Sequence, residues 1–147
     1  MRDAKGMMFS QIGHCDVICI TTNGFVKANG QAVMGRGCAL TYSKMYPGAT
    51  KILANKIQRN GNHVSKLGTD KGTEFWSFPV KHNWWENADL ELIERSAREL
   101  VIFANDDPTW TKILIPRPGC GNGHLDYAVV RPILAPILDD RFLIVTF

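Results

Sequence analysis

A chain of 147 residues has room for one domain of ordinary size. Apolar residues make up 45% of it, too many for a disordered chain and enough for a buried core. Seventeen Lys and Arg against fourteen Asp and Glu leave +3, which admits an anionic ligand but lacks the dense basic stripe of a dedicated nucleic-acid binder.

In chain order, Gly6 to Gln11 reads as a short first strand. Asp16 to Thr22 is β-branched and mostly apolar, which predicts a buried strand. Asn23 to Gly35 is loop-like. Gly37 to Tyr46 has helical character and stops before Pro47-Gly48. Ala49 to Arg59 reads as a second helix, closed by the turn chemistry of Asn60-Gly61-Asn62. His63 to Leu67 and Thr73 to Val80 are two strands around a hairpin-like break at Gly68-Thr69-Asp70-Lys71-Gly72. Ala88 to Asn105 is the clearest helix, with Leu90, Ile93, Ala97, Leu100, Val101 and Ala104 at helical spacing and Asn87 or Asp89 as its cap. Lys112 to Ile115 is a strand. Tyr127 to Leu138 looks helical but contains Pro132 and Pro136. It either begins near Arg131 or is kinked. Arg141 to Phe147 is a final strand. Strands alternate with helices, which points to an α/β domain with helices on both faces of a sheet. In such sheets ligands bind beyond the carboxyl ends of the strands.

The cysteines Cys15, Cys19, Cys38 and Cys120 form no C-x-x-C pair, and no histidine joins them at zinc-ligand spacing. No metal or cofactor is expected. Cys15 and Cys19 read as buried free thiols of a strand. The N-terminal residues lack the pattern of a signal peptide, and no apolar run approaches the ~20 residues that span a membrane. The expected setting is reduced and cytoplasmic.

Three segments carry chemistry. Ile113 to Asp126 is an apolar strand, then a turn with glycines at 119, 121 and 123, then a helix. Such glycines uncover backbone N–H groups, and a helix start adds more, which is the layout of a phosphate cradle. The G-x-G-x-G spacing departs from the dinucleotide fingerprint, and no Walker Gly-Lys-Ser/Thr follows, which argues against a generic dehydrogenase or NTPase. Met34-Gly35-Arg36-Gly37-Cys38-Ala39 is a second glycine loop leading into a helix, after a strand ending at Asn23. Asn23 can meet ribose hydroxyls or simply make a turn with Gly24. Phe78-Pro79-Val80-Lys81-His82-Asn83-Trp84-Trp85 ends a strand on a lysine. Desolvated beside other cations, such a lysine becomes a nucleophile. The blander reading is a solvated lysine next to core tryptophans.

In this order, Asp16–Asn23, Met34–Ala39, Phe78–Lys81 and Pro116–Tyr127 resemble the macro domain family, which binds ADP-ribose. The set is most similar to the branch containing terminal ADP-ribose protein glycohydrolase and the DarG-type antitoxins, and it covers nearly the whole chain. The resemblance implies a three-layer α/β/α sandwich with a mixed central sheet, as a single domain over residues 1–147. It implies that Asn23 meets the distal ribose, that Met34, Gly35, Arg36, Gly37 and Cys38 lie along the diphosphate and distal ribose, and that Pro116, Arg117, Gly119, Cys120, Gly121, Asn122, Gly123, His124 and Leu125 clasp the diphosphate. Lys81 falls where the glycohydrolase branch has a lysine acting on the anomeric carbon of the distal ribose, as a nucleophile or by stabilising the departing group.

Two departures qualify the likeness. The family often carries Gly-Asp-Ile near the first strand, its Asp reading the adenine amino group. Here the matching segment is Gly6-Met7-Met8-Phe9, and Asp16 belongs to the next strand. Terminal ADP-ribose protein glycohydrolase has a catalytic Asp at the position of Gly123, where DarG-type relatives have Gly. Asp126 is expected to cap the following helix.

The expectation is a monomeric hydrolase that cleaves an ADP-ribosyl bond to DNA or protein through Lys81, without metal. A non-catalytic ADP-ribose-binding module is the first alternative. A phosphatase acting on ADP-ribose 1''-phosphate, with His82 or His124 as acid or base, is the second.

Overall fold

The computed structural model describes residues 1–146. Along the chain they form β1 (Arg2–Lys5), a 3-10 turn (Met8–Gln11), β2 (Val17–Asn23), α1 (Gly37–Met45), α2 (Ala49–Asn60), β3 (Lys66–Asp70), β4 (Thr73–Lys81), α3 (Leu90–Asp106), β5 (Ile113–Pro116), α4 (Tyr127–Leu134) and β6 (Phe142–Thr146). One six-stranded sheet has the order β1-β6-β5-β2-β4-β3. Its neighbours are parallel except β3 and β4, so the sheet is mixed.

Alternation along β2 builds two cores at once. Val17 and Cys19 join Ile93, Ala97 and Leu100 of α3 and Val130 and Leu134 of α4 on one face. Ile18 and Ile20 join Ala39 and Tyr42 of α1 and Leu53 and Ala54 of α2 on the other. Successive strand side chains point to opposite faces, so a strand apolar at every position must be covered twice. The result is the expected α/β/α sandwich. No helix of the described residues is long and apolar enough to cross a membrane.

Several boundaries differ from the sequence reading. Gly6 to Gln11 is not a strand. The first strand precedes it, on the polar segment Arg2–Lys5, paired with β6 at the sheet edge. An edge strand with solvent on both flanks carries no apolar signature, so its pairing was hidden. Met8–Gln11 instead turns as a 3-10 helix, with Ser10 N–H donating to the Met7 carbonyl at 3.1 Å. The hairpin break is also narrower than predicted. Gly68, Thr69 and Asp70 remain in β3, and only Lys71 (φ 50°) and Gly72 (φ 82°) make the turn. Two adjacent positive φ values are the geometry of a two-residue type I′ hairpin. α4 resolves the proline ambiguity. It starts at Tyr127, with the Asp126 carboxylate accepting from Ala128 N–H, carries Pro132 inside, and ends at Leu134. Of the predicted last strand, Phe147 lies outside the described residues.

Candidate ligand cleft at the strand ends

Because β2, β4, β5 and β6 run parallel, their carboxyl ends share one edge of the domain. The ladder sets Asn23 at the end of β2 beside Lys81 at the end of β4. The register slips there, pairing Thr22 with Pro79 but Asn23 with Lys81. Pro79 has no N–H for the ladder, and a proline inside a central strand is tolerated at such a bulge. The slip sets Lys81 at the rim of a cleft of about 1390 Å³. That volume accommodates a ligand of dinucleotide size.

Nearly all the residues singled out from the sequence line this cleft: Asn23, the loop Met34–Cys38, Lys81, Pro116, Arg117, and Gly119–Gly123 with Leu125. His124 does not. It is exposed, has φ 63°, and lies outside the lining. His82 is also outside the lining, and its Nε2 lies 2.9 Å from the Asp89 carboxylate. Neither histidine offers an acid or base to the cleft. Residues missed from the sequence complete it. Met8 and Phe9 come from the 3-10 turn and Met7 from just before it, Lys27 from the first loop, Tyr127 from α4, and Val145 and Thr146 from β6. The apolar run Met7-Met8-Phe9 was a visible signal, misread as a strand.

The loop after β5 folds on its own backbone. Leu125 N–H donates to the Gly119 carbonyl at 2.9 Å, His124 N–H to Gly121 at 3.1 Å, and Ala88 N–H to the Gly123 carbonyl at 3.0 Å. The N–H groups of Gly121, Asn122 and Gly123 make no hydrogen bond among the described residues. Three successive N–H groups without a protein acceptor, on residues that line the cleft, are donors of the kind an anion requires. Gly119 adopts φ +74°, where a Cβ would also lie 2.7 Å from the Ala88 Cβ. At Gly123 a Cβ would stand 2.5 Å from the Gly119 oxygen, so this loop cannot seat an aspartate there without moving. Gly121 is different, for its Cβ would meet nothing within 4 Å.

The loop after β2 closes the opposite wall. Asn23 Nδ2 donates to the Val33 carbonyl at 3.0 Å, and its Oδ1 accepts from Phe25 N–H at 3.0 Å. The amide therefore braces its own loop, with one Nδ2 hydrogen left over. α1 starts at Gly37 without a side-chain cap, which leaves its first N–H groups without that partner, and its first residues Gly37, Cys38 and Ala39 line the cleft. A Cβ on Gly37 would come 3.4 Å from Asn122 Nδ2, which marks where the two glycine loops meet. On the cleft wall between them, the Thr22 hydroxyl is buried and has no partner among the described residues. Buried hydroxyls without partners are uncommon, and a ligand is one way to satisfy them.

Lys81 Nζ donates to the Asn122 carbonyl at 2.9 Å and reaches the Trp84 carbonyl at 3.5 Å. Desolvation, and then the nearby Arg36 guanidinium, push its pKa below the usual lysine value. Both disfavour the ammonium. The cleft cysteines are less apt nucleophiles. Burial pushes the Cys38 and Cys120 thiols up, away from the thiolate. Asp16, too far back to read a base, accepts instead from the N–H groups of Thr111 and Lys112, each at 2.9 Å.

The domain is an α/β/α sandwich whose strand ends hold two glycine loops, one bearing a row of N–H groups without protein acceptors. Its fold is that of a macrodomain. The chain superposes on the macrodomain of Thermus aquaticus DarG with a TM-score of 0.78 and 22% identity, covering 99% of this chain and 97% of that one. The macrodomain of Mycobacterium tuberculosis DarG gives 0.77 and 22%, with 97% and 95% covered. Thermosipho africanus DarTG, solved in complex with ADP-ribose, gives 0.76 and 19%, with 98% of this chain and 41% of that one covered. In sequence, the chain is 24% identical over 117 residues to a DNA ADP-ribosyl glycohydrolase of Thermus aquaticus, a match over 76% of this chain. The chain spans about a third of that relative, 32% of its length. No family model matches the sequence.

Proposed function

We propose that this domain binds ADP-ribose in the cleft at the strand ends and hydrolyses an ADP-ribosyl bond there, with Lys81 as the catalytic residue. The observation that carries the reading is the position of the Lys81 amine at the cleft rim, hydrogen-bonded to the same loop that presents three free N–H groups. The diphosphate would sit on Gly121, Asn122 and Gly123 and on the start of α1. The distal ribose would then lie towards Asn23 and Lys81. A neutral Lys81 amine uses its two N–H groups on the carbonyls of Asn122 and Trp84, which leaves its lone pair free. That pair would bond to the anomeric carbon as the bond to the acceptor breaks. The electron pair would leave with the acceptor, which takes up a proton, and water would then release ADP-ribose from the lysine. The ADP-ribose complex of one structural relative and the glycohydrolase name of a sequence relative support this reading.

A binding-only module is favoured by one observation. Asp126, the one carboxylate among the cleft-lining residues, already accepts from Ala128 N–H as the cap of α4, and Gly123 has no room for another. The two readings part on one experiment. Wild type and Lys81→Ala are given ADP-ribosylated DNA and ADP-ribosylated protein, and ADP-ribose affinity is measured by calorimetry. Turnover by wild type and none by Lys81→Ala, with affinity retained, is expected. Binding without release by wild type would leave the module reading, and full activity in Lys81→Ala would remove the lysine from the chemistry.

A further inference from the structure

Lys81 is held from behind as well as from the cleft. The register slips where β2 and β4 end, and the last three carbonyls of β4 accept from outside both strands. Pro79 accepts from the Ser96 hydroxyl of α3 at 2.7 Å. Val80 accepts at 2.9 Å from Asp89 N–H, at the far end of the loop that carries Trp84 and Trp85. Lys81 accepts from Asn62 Nδ2 at 2.9 Å and from Gly24 N–H at 3.2 Å. The first two bonds fix the path of the strand. The Asn62 bond fixes the residue that bears the amine.

Asn62 comes from the loop between α2 and β3. Turn chemistry alone would spend its side chain on its own loop, yet the amide goes to a strand end 19 residues further along the chain. The same side chain lies against Gly24, where a Cβ would stand 2.7 Å from both Asn62 Cγ and Nδ2. Gly24 is outside the left-handed region, so its missing side chain serves room and not backbone conformation. Asn62 is thus wedged behind the ends of β2 and β4, where the ladder sets Asn23 beside Lys81. The wedge is itself anchored to α3. Arg95 donates to the Asn62 carbonyl and lies 3.6 Å from the Glu99 carboxylate. Glu99 in turn accepts from Val64 N–H at 3.0 Å and lies 2.6 Å from His63 Nδ1.

Resting on the reading of Lys81 as the catalytic residue, we propose that Asn62 is a positioning residue for the hydrolysis, which acts from outside the cleft by fixing the end of β4 beside Asn23 and so aiming the Lys81 amine. Asn62 is not among the described residues that line the cleft, so a bound ligand has no contact to lose when it is changed. Misplacing a reacting group by about 1 Å can cost about 100-fold in rate. A loosened β4 end therefore shows in turnover before it shows in binding.

Three variants test this. Asn62→Leu keeps the size of the side chain and removes the donor, and Asn62→Ala removes the contact. Gly24→Ala leaves Asn62 in place and pushes its amide off the Lys81 carbonyl. Single-turnover release from ADP-ribosylated DNA and ADP-ribosylated protein is measured beside the affinity and stoichiometry of ADP-ribose binding in calorimetry. Both Asn62 variants should slow release by about 10-fold or more, with affinity within about 2-fold and stoichiometry unchanged. The double variant Asn62→Leu with Gly24→Ala should be no slower than the slower single one, because both break the same contact. Wild-type rates in both Asn62 variants overturn the proposal, as do losses that multiply in the double variant. A rate that falls only in step with binding stoichiometry also overturns it, for that reports lost fold. If wild type releases nothing, or Lys81→Ala releases as fast as wild type, the reading of Lys81 fails and takes the role of Asn62 with it. Release that depends on Lys81 but not on Asn62 removes the positioning role alone.

Discussion

The Nζ atom of Lys81 stands 2.9 Å from the backbone oxygen of Asn122. One hydrogen bond thus joins the end of β4 to the glycine loop after β5, and fixes the amine against the loop that would hold the diphosphate. Lys81→Arg tests whether position or nucleophilicity matters. Arginine retains charge and donors but has no free lone pair at ordinary pH. The variant should bind ADP-ribose and fail to turn over, as read by product release from an ADP-ribosylated substrate.

The pH dependence follows from the depressed pKa of Lys81. The neutral amine gains population as pH rises, and it does so below the usual lysine range. For a lysine that attacks as a nucleophile, single-turnover rates should climb through the alkaline range with a midpoint below 10.5, the ordinary lysine value. A rate that falls over the same interval would assign the work to the ammonium, which stabilises the departing group.

The three loop glycines should behave differently when replaced by alanine. At Gly119 the backbone is left-handed and the Cβ meets Ala88, so a loss of about 1–3 kcal/mol is expected in denaturant unfolding. Gly123→Ala drives a Cβ towards the Gly119 oxygen and should destabilise by a similar amount. Gly121→Ala has open space. It should leave stability within about 0.5 kcal/mol and weaken ADP-ribose binding in calorimetry.

The unpartnered Thr22 hydroxyl makes a separate prediction. Thr22→Val removes a buried polar group that has no bond to lose, so thermal stability of the free protein should hold or rise by about 1 kcal/mol. Affinity for ADP-ribose should fall if the ligand satisfies that hydroxyl. Unchanged affinity would place Thr22 outside the contact.

Asp89 links the tryptophan loop to α3. Its pKa is lowered first by the hydrogen bond to His82 and then by the N–H groups of Glu91 and Leu92. A depressed carboxylate contributes stability that is present above its unfolded pKa and lost as pH falls through the folded one. Melting temperature should therefore decline below about pH 4, and Asp89→Asn should be less stable than wild type at pH 7 but show a shallower acid decline.

Much of this molecule was legible in the chain. Apolar, β-branched and aromatic runs gave β2 and β4, and a period of 3.6 gave α3, because their faces are buried, and burial writes itself into side-chain choice. Both glycine loops and Lys81 stood out by residue type alone. The polar edge strand Arg2–Lys5 and the 3-10 turn at Met8 did not, since pairing at an open edge and a single tight turn leave no periodic signal.

The sequence by itself determined an α/β sandwich, two backbone-exposing loops and a lysine at a strand end, because each depends on local residue chemistry. Only the tertiary structure decided that parallel strands bring Asn23 beside Lys81, that Lys81 reaches Asn122, and that Gly123 has no room for a side chain while Gly121 does. Those relations join residues far apart in the chain, and they are set by strand order and register, which no local pattern encodes.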